Sequence, residues 1–252
     1  MAKKIERIGE TNYNKYGSKM TIIEYKDVHN LVVEFENGYK IKAQYTQFKK
    51  GNIISPYDKT IFNIGYLGEG KYKTSIDNEH TLQYLYWSRM MCRCYSSIPK
   101  KSHKTYKDCL VCEEWLNFQN FAEWFDKNYY EIDEGRMELD KDILVKGNKI
   151  YSPEACIFVP KRINTLFVKC DTNRGEYPIG VNWHKGQERF VSRCQTLEKR
   201  ISLGYYDTPE EAFEVYKTFK ENYIKQVADE YKNQIPKELY DALYRYKVEI
   251  TD

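Results

Sequence analysis

The sequence has no long apolar run. No stretch of its 252 residues approaches the length that crosses a bilayer, and the first ten, MAKKIERIGE, lack the apolar segment of a signal peptide. These absences predict a cytoplasmic protein with no membrane partner. Hydrophobic residues nevertheless make up 41% of the chain, which is enough for a packed core and argues against wholesale disorder.

The features of a disulfide-linked protein are also missing. The seven cysteines are an odd number without an export signal, so reduced and mostly buried thiols are expected. A second interpretation is a structural zinc site formed by Cys94, Cys109 and Cys112, with His103 between them in the sequence, because a C-x-x-C turn supplies two zinc ligands well. Zinc is the less favoured of the two, since Cys112 lies in an apolar stretch.

A large excess of one charge is absent as well. The 40 Lys and Arg residues nearly balance the 37 Asp and Glu residues, and the net charge of +3 decides little about partners. Basic residues mixed with 24 tyrosines and 11 phenylalanines suit nucleic acid, and they also suit the codon usage of an AT-rich genome. Composition therefore gives only weak support for nucleic-acid binding.

The hydrophobic pattern predicts an α+β, multidomain fold. Residues 1–66 contain three short strand-like runs, MTIIEY, LVVEF and YKIKAQY, and Asn37-Gly38 between the last two is a strong hairpin signal. This segment is expected to form a small β-barrel or meander. It could contact nucleic acid or a protein partner, and the sequence leaves both open.

Residues 67–171 form the second predicted domain. LQYLYWSRMM and WLNFQNFAEWF carry apolar residues at helical spacing, LDKDI opens a predicted strand, and SPEACIFVPKRIN leads toward a helix. Asp140 and Asp142 are two residues apart, and on a strand such residues face the same side. A carboxylate pair of this kind can hold Mg²⁺ or Mn²⁺ and support phosphodiester cleavage. The alternative is a solvated, charged strand end.

Residues 175–252 form the third predicted domain. GVNWHKGQ, ERFVSRCQ and KRISLGYYD alternate apolar and polar residues, which predicts a three-stranded antiparallel sheet. Thr208-Pro209 provides a capping residue and a proline at the first helical position, so a long amphipathic helix is expected to follow and to pack on the sheet. The tail is expected to add a further helix.

The central segment resembles phage-encoded HNH-type homing endonucleases. The resemblance covers roughly residues 80 to 168 and consists of W-x-x-M-x-x-RCY, VCEEW followed by an aromatic helix, and YSPE-x-C, in that order. It implies a central HNH-like domain of the ββα-metal type, in which a strand supplies a metal-binding Asp followed by a base histidine, and a helix supplies a last metal ligand.

Carried onto this chain, the resemblance makes Asp140 the metal-binding carboxylate and Asn164, eight residues beyond Cys156, the last ligand. Lys141 stands where the base histidine is expected, and Ala155 stands where an Asn that braces the loop is expected. A lysine is normally protonated at neutral pH, so it cannot take a proton from water unless it is strongly desolvated. His103 is the candidate for a base from elsewhere, and Lys141 could instead bind a phosphate.

The C-terminal segment resembles the ethylene-response-factor-type DNA-binding domain of plants over about residues 177 to 225. The matching residues are Gly180-Val181, Phe190, SLGYYDT and EEA. The resemblance implies a sheet that lies in the major groove of double-stranded DNA with the helix packed behind it. Alternation places Phe190, Ser192 and Cys194 toward the helix and Val191 toward the groove. The predicted DNA-contacting residues are Asn182, His184, Lys185, Arg189, Arg193, Gln195, Lys199 and Arg200.

The function predicted from these patterns is that of a sequence-specific double-stranded-DNA-binding protein of a phage or mobile element, acting in the cytoplasm of a bacterial host cell. Two readings of the central domain stay open. In the first, it nicks or cleaves DNA with a divalent metal. In the second, it is a degenerate HNH domain in a non-catalytic regulator or a phage anti-defence factor, with residues 1–66 available to a protein partner.

Overall fold

The computed structural model describes residues 6–96, 106, 108–133, 135–168 and 176–250. The chain has mixed α and β content and divides into two compact units, Met1–Lys127 and Asn128–Asp252, which are described separately below. The division falls within the segment predicted as the central domain, and the three-domain boundaries stay predictions. No helix in the described ranges combines the length and the apolarity that are needed to cross a membrane.

The first unit begins with a four-stranded antiparallel sheet. Its strands are β1 (Thr11–Tyr13), β2 (Lys19–Asp27), β3 (Asn30–Phe35) and β4 (Lys40–Ala43), in the spatial order β1-β2-β3-β4. The three predicted strands are present, and β1 is an addition. Each strand pairs with the next along the chain, and no closed barrel forms within the residues described, so the sheet is the meander of the two predicted alternatives.

A short helix, α1 (Tyr45–Lys49), follows the sheet where the sequence pattern had extended the last strand to residue 45. Helical geometry carries Phe48 back over the sheet, where it is fully buried with Met20, Ile22 and Val33. The burial of this ring explains why the chain leaves the strand at Ala43. The hairpin between β3 and β4 turns at Asn37-Gly38, where Gly38 has a φ of +84°.

The rest of the first unit is built on aromatic side chains. Its elements are β5 (Ser75–Ile76), β6 (Glu79–His80), α2 (Leu82–Tyr95), β7 (Leu110–Val111), a 3₁₀ helix (Glu113–Leu116) and α3 (Phe118–Asn128). The predicted aromatic helix is thus broken at Asn117, but its face is buried as expected for a core. Trp87 and Trp115 are fully buried, and the Trp87 indole donates to the carbonyl of Trp115 over 2.7 Å.

The second unit opens with two antiparallel strands and a short helix. These are β8 (Met137–Asp140), β10 (Ile157–Pro160) and α4 (Lys161–Thr165), with β9 (Ile150–Tyr151) in the connection between the strands. Ile157 lies opposite Asp140, and Pro160 lies opposite Met137. Helix α4 packs on both strands. The apolar side chains of this group face a core that they share with the C-terminal helices, including Val159, Ile163, Ile224, Val227 and Leu243.

The three-stranded antiparallel sheet predicted for the C-terminal region is present. It consists of β11 (Val181–His184), β12 (Arg189–Gln195) and β13 (Arg200–Tyr206), in that spatial order, followed by α5 (Pro209–Glu230) and α6 (Lys237–Arg245). Pro209 is the first helical residue of α5, and the Thr208 hydroxyl accepts from the Glu211 amide over 3.2 Å, as the capping signal predicts.

Helix α5 packs across all three strands of this sheet. The buried layer between them contains Val181, Cys194, Ala212, Phe213 and Tyr216. Gly180, at the start of β11, has a φ of +79°, and a Cβ atom there would lie 2.1 Å from the Tyr216 ring. Only glycine therefore allows β11 to approach α5 this closely.

Candidate nucleic-acid interface

The register of β11–β13 brings the predicted DNA-contacting residues onto one face. Asn182 lies opposite Val191, and His184 lies opposite Arg189. Two further cross-strand pairs join β12 to β13: Arg193 with Ser202, and Gln195 with Arg200. Arg193 and Gln195 follow Val191 at intervals of two residues along β12, so they project to the same side of the sheet. Residues that face each other in an antiparallel ladder project to the same side of the sheet. These four pairs therefore share a side, and it is opposite the side on which Phe190 and Cys194 face α5.

Most of this face is accessible. Lys185, Gln195, Lys199 and Arg200 are exposed, and Asn182, His184, Arg189 and Arg193 are half-buried. Val191 is the exception, because it is only 1% exposed. Val191 projects to the predicted side of the sheet, but its burial leaves almost none of the side chain accessible to a ligand. Its short side chain stands in the middle of the sheet, with Asn182 on one side of it and Tyr205 on the other.

A β-bulge shapes the third strand. The register between β12 and β13 shifts at Ser192 and Arg193, which face Gly204 and Ser202, so Leu203 is the additional residue. The extra residue inverts the alternation after it and places Tyr205, which is 39% exposed, on the same side as Val191. Sequence alternation missed Tyr205 for this reason, although an isolated glycine within a strand is a recognised signal for a bulge.

The charges on the face are unevenly compensated. The Arg189 guanidinium is 2.8 Å from the Asp207 carboxylate, and the His184 ring packs edge-on against Tyr205 at 5.2 Å between centroids. By contrast, neither Arg193 nor Arg200 has an ion pair with any side chain in the described ranges. These two guanidinium groups are therefore available to an anionic ligand.

The second candidate site lies at the end of β8. Asp140 is the last residue of the strand, and its Oδ1 accepts the backbone N–H groups of Asp142 and Ile143, each over 2.8 Å. A carboxylate that accepts from the amides two and three residues later closes a tight turn. Asp142 is consequently in the turn and not on the strand, which corrects the expectation that the two carboxylates project from one strand face.

Lys141 is held inside this turn. The residue is 8% exposed, and its ammonium lies 3.3 Å from Asp142 Oδ2 and 6.0 Å from the centre of the Tyr151 ring. The position at which the resemblance expects a base is therefore occupied by a buried cation whose charge Asp142 balances. A lysine in this setting is a poor acceptor for a proton from water.

The loop after β8 is braced by a residue that sequence reasoning missed. The Asn148 amide donates to the carbonyl oxygens of Lys141 and Ile150, both over 2.7 Å, and its Oδ1 accepts from the Ile150 amide. The resemblance expects such an Asn at position 155, where this chain has Ala155. The turn-forming run Lys146-Gly147-Asn148 is the signal that could have pointed to it.

The environment of Asp140 disfavours its charged form. Burial and the neighbouring Asp142 carboxylate raise the Asp140 pKa to about 6, against the two backbone N–H groups that lower it. The carboxylate is half-buried, and Asn164, also half-buried, lies on α4, which packs against β8.

The fit of these residues to a divalent metal is incomplete. One Asp140 oxygen already accepts hydrogen bonds from two backbone amides, and Asp142 already forms an ion pair with the Lys141 ammonium. A cation bound here would have to displace or adjoin a buried positive charge, which like-charge repulsion opposes. His103, the candidate for an external base, lies outside the described residues.

The cysteines of the zinc interpretation lie in the first unit. Cys109 is buried, and Cys94 and Cys112 are half-buried. Burial and these two thiols raise the pKa of the nearby Tyr95, whose hydroxyl accepts from the Val111 amide over 2.9 Å. Among the side chains that the structure describes, no group of three or more His, Cys, Asp or Glu residues is arranged to hold a metal ion. The zinc site stays a prediction, because its candidate histidine is outside the described ranges.

Comparisons of this chain with family models, with curated proteins and with solved structures found no match.

Proposed function

We propose that this chain is a double-stranded-DNA-binding protein that contacts DNA through the solvent face of β11–β13. The observation that carries the proposal is the cross-strand register that groups His184, Arg189, Arg193 and Arg200 with Asn182 and Gln195 on one side of a sheet whose other side is covered by α5. Basic and amide side chains concentrated on one rigid surface are typical of a nucleic-acid interface.

The dimensions and chemistry of this face suit the major groove. Three strands spaced about 4.8 Å apart span about 10 Å between the axes of the outer strands, and the major groove is about 12 Å wide. A guanidinium reads guanine through two hydrogen bonds, and a carboxamide reads adenine in the same manner. Arg193 and Gln195 supply these groups on adjacent positions of the outward face, and Lys185 and Lys199 at the strand ends are suited to phosphates.

For the β8–α4 site, the geometry favours a non-catalytic role. The buried Lys141–Asp142 pair occupies the place of the base, and no water-activating group is evident in the described loop. The reading as a degenerate HNH-like site in a DNA-binding regulator or anti-defence factor is therefore the one that we propose. Cleavage of DNA is the second candidate, because the two antiparallel strands followed by a helix, with Asp140 at the strand end, match the frame that a ββα-metal nuclease uses.

DNA binding is tested with duplexes selected by the full-length protein from a randomised pool. Fluorescence anisotropy is then measured against salt concentration. The Arg193→Ala, Arg200→Ala double variant is expected to weaken binding by a factor of at least about 30, since each good base contact contributes about 1–3 kcal/mol. Arg245→Ala, which removes one positive charge from an exposed position on α6, is the control and should change little. Equal affinity of the double variant and the control would refute the proposal.

Catalysis is tested separately with supercoiled plasmid and Mg²⁺ or Mn²⁺. The proposed role predicts intact plasmid for the wild-type protein under conditions in which it binds the DNA. Nicking that Asp140→Ala abolishes would instead establish the second candidate and would leave the binding proposal untouched.

A further inference from the structure

A cleft opens in the second unit where β11 stops covering its neighbour. The pairing of β11 with β12 ends at Val181 and Ser192, but β12 continues to Gln195. The cleft beside this uncovered edge has a volume of about 570 Å³, and its lining includes residues 165–168 and part of α5. This volume lies within the range of small-molecule sites, about 300–1,000 Å³.

A buried lysine lines the cleft. Lys220, on α5, is only 9% exposed, and it makes no hydrogen bond or ion pair with any residue of the described chain. Burial lowers the pKa of its ammonium. A buried ammonium without a counter-charge is energetically costly, so an anion that reached it would gain more than it would at an exposed lysine.

The other charged residues that line the cleft are also positive. Arg193 and Arg200 contribute two further cations, and the described lining includes no carboxylate. Asn182 and Thr196 offer hydrogen-bonding groups, and an apolar wall is formed by residues such as Leu166, Phe167, Val181 and Tyr246. Three positive groups and an apolar wall in the lining complement a ligand with an anionic end and an apolar body.

We infer that this cleft binds a small molecule in which a carboxylate or phosphate group is attached to an apolar body, with Lys220 as the buried counter-charge. The inference goes beyond DNA binding and does not depend on it. The anionic group pairs with Lys220, the arginines of the lining add to its attraction, and the apolar body lies against Leu166 and Phe167.

The test uses the full-length protein without DNA. Thermal unfolding and calorimetric titration are carried out with three probes: phenyl phosphate, benzoate and inorganic phosphate. Saturable binding of phenyl phosphate or benzoate is expected. Whichever of these two probes binds more tightly shows whether the cleft prefers a phosphate or a carboxylate. Inorganic phosphate should bind at least about tenfold more weakly than phenyl phosphate, because it has no apolar body to bury.

Two variants and one control locate the site. Lys220→Met keeps an unbranched side chain that is one atom shorter, removes the charge, and is expected to weaken binding of the preferred probe about tenfold or more. Lys225→Met, at a half-buried position of the same helix outside the cleft, should bind within about twofold of wild type. Arg200→Met changes an exposed strand residue, so it cannot disturb the core, and is expected to weaken binding at least about threefold.

The inference is overturned if no probe gives saturable binding to the wild-type protein. It is also overturned if inorganic phosphate binds as tightly as phenyl phosphate, or if both Lys220→Met and Arg200→Met bind like the Lys225→Met control. Because these titrations contain no DNA, their failure and a failure of the DNA-binding proposal are independent results.

Discussion

The ammonium of Lys141 lies 3.3 Å from the carboxylate of Asp142 inside the turn that Asp140 closes. The three consecutive residues form a charge arrangement of two carboxylates and one buried cation. The Lys141 side chain is enclosed and Asp142 is exposed, so the lysine depends on its neighbour for compensation far more than the aspartate does. This dependence makes the turn a structural element whose charges can be tested one at a time.

Replacement of Lys141 should destabilise the protein in a pH-dependent manner. In Lys141→Met, Asp142 loses the ammonium that balances it while its repulsion with Asp140 remains, and the expected loss in the free energy of unfolding is about 1–3 kcal/mol at pH 7.5. The loss should shrink below pH 6, where Asp140 takes up a proton. Urea denaturation measures it. Lys149→Met, an exposed charge on the same loop, is the control, and an equal effect of both variants would show that the buried pair is not responsible.

Asp140→Asn should stabilise the protein above pH 6. Its carboxyl has a pKa raised to about 6 in the folded state, above the ordinary 3.8, so the folded state binds more protons between these values. Stability of the wild type therefore falls as pH rises through this window. The asparagine oxygen can still accept the two amide N–H groups, so the variant is expected to gain about 1–2 kcal/mol at pH 7.5 and nothing at pH 3.5.

The measurement is urea denaturation at both pH values in the presence of a chelator, so that divalent cations do not contribute. A stabilisation that is the same at pH 3.5 and pH 7.5 would contradict the raised pKa, because it could not come from ionisation of this group.

Gly180→Ala should disrupt the packing of β11 on α5. The new Cβ atom would lie 2.1 Å from the Tyr216 ring at a φ of +79°, so both a steric clash and an unfavourable backbone conformation are expected, with a loss above about 3 kcal/mol. Gly147→Ala is a matched control, because Gly147 has a φ of +80° and open space around it. Its loss should be about 1 kcal/mol. Similar unfolding midpoints for the two variants would show that β11 does not approach α5 as described.

Gln195 and Lys199 should affect DNA binding in different ways. Gln195 projects from the sheet face, and Gln195→Ala is expected to relax the sequence preference at one position of the selected duplex by about 1–3 kcal/mol. Lys199→Ala should weaken all duplexes alike and reduce the slope of log affinity against log salt by about 1. Anisotropy titrations with the selected duplex and its single-base variants separate the two effects. If Gln195→Ala weakened the binding of all duplexes equally, Gln195 would be shown to contact the DNA backbone and not a base.

Much of the C-terminal architecture follows from local signals in the sequence. Alternation predicts the three strands, and Thr208-Pro209 predicts the start of α5, because a cap and a first-turn proline act within a few residues. The outward positions of Arg193, Gln195 and Arg200 follow from the same alternation. These features depend on residues that are close together in the sequence, so a single sequence is enough to predict them.

The misplaced residues depend on interactions that a regular pattern does not encode. Alternation assumes constant phase, so it could not find Tyr205 beyond the bulge. Alternation also placed Asp142 on a strand. The hydrogen bonds that Asp140 accepts from the Asp142 and Ile143 amides form only in the folded turn, and no sequence period indicates them. In the same way, Asn148 braces its loop through carbonyl groups on both sides of a turn, and no periodicity marks it.

The bulge at Leu203 determines which residues of β13 lie on the solvent face of the sheet. Substitutions on a regular strand change one contact at a time. If β13 kept its length but paired without the bulge, every residue after Leu203 would exchange sides, turning Tyr205 toward the core and Tyr206 toward solvent. The identity of the surface is thus tied to the register of β13 as well as to its side chains, so a change that removes the bulge without shortening the strand would alter recognition more than most single substitutions.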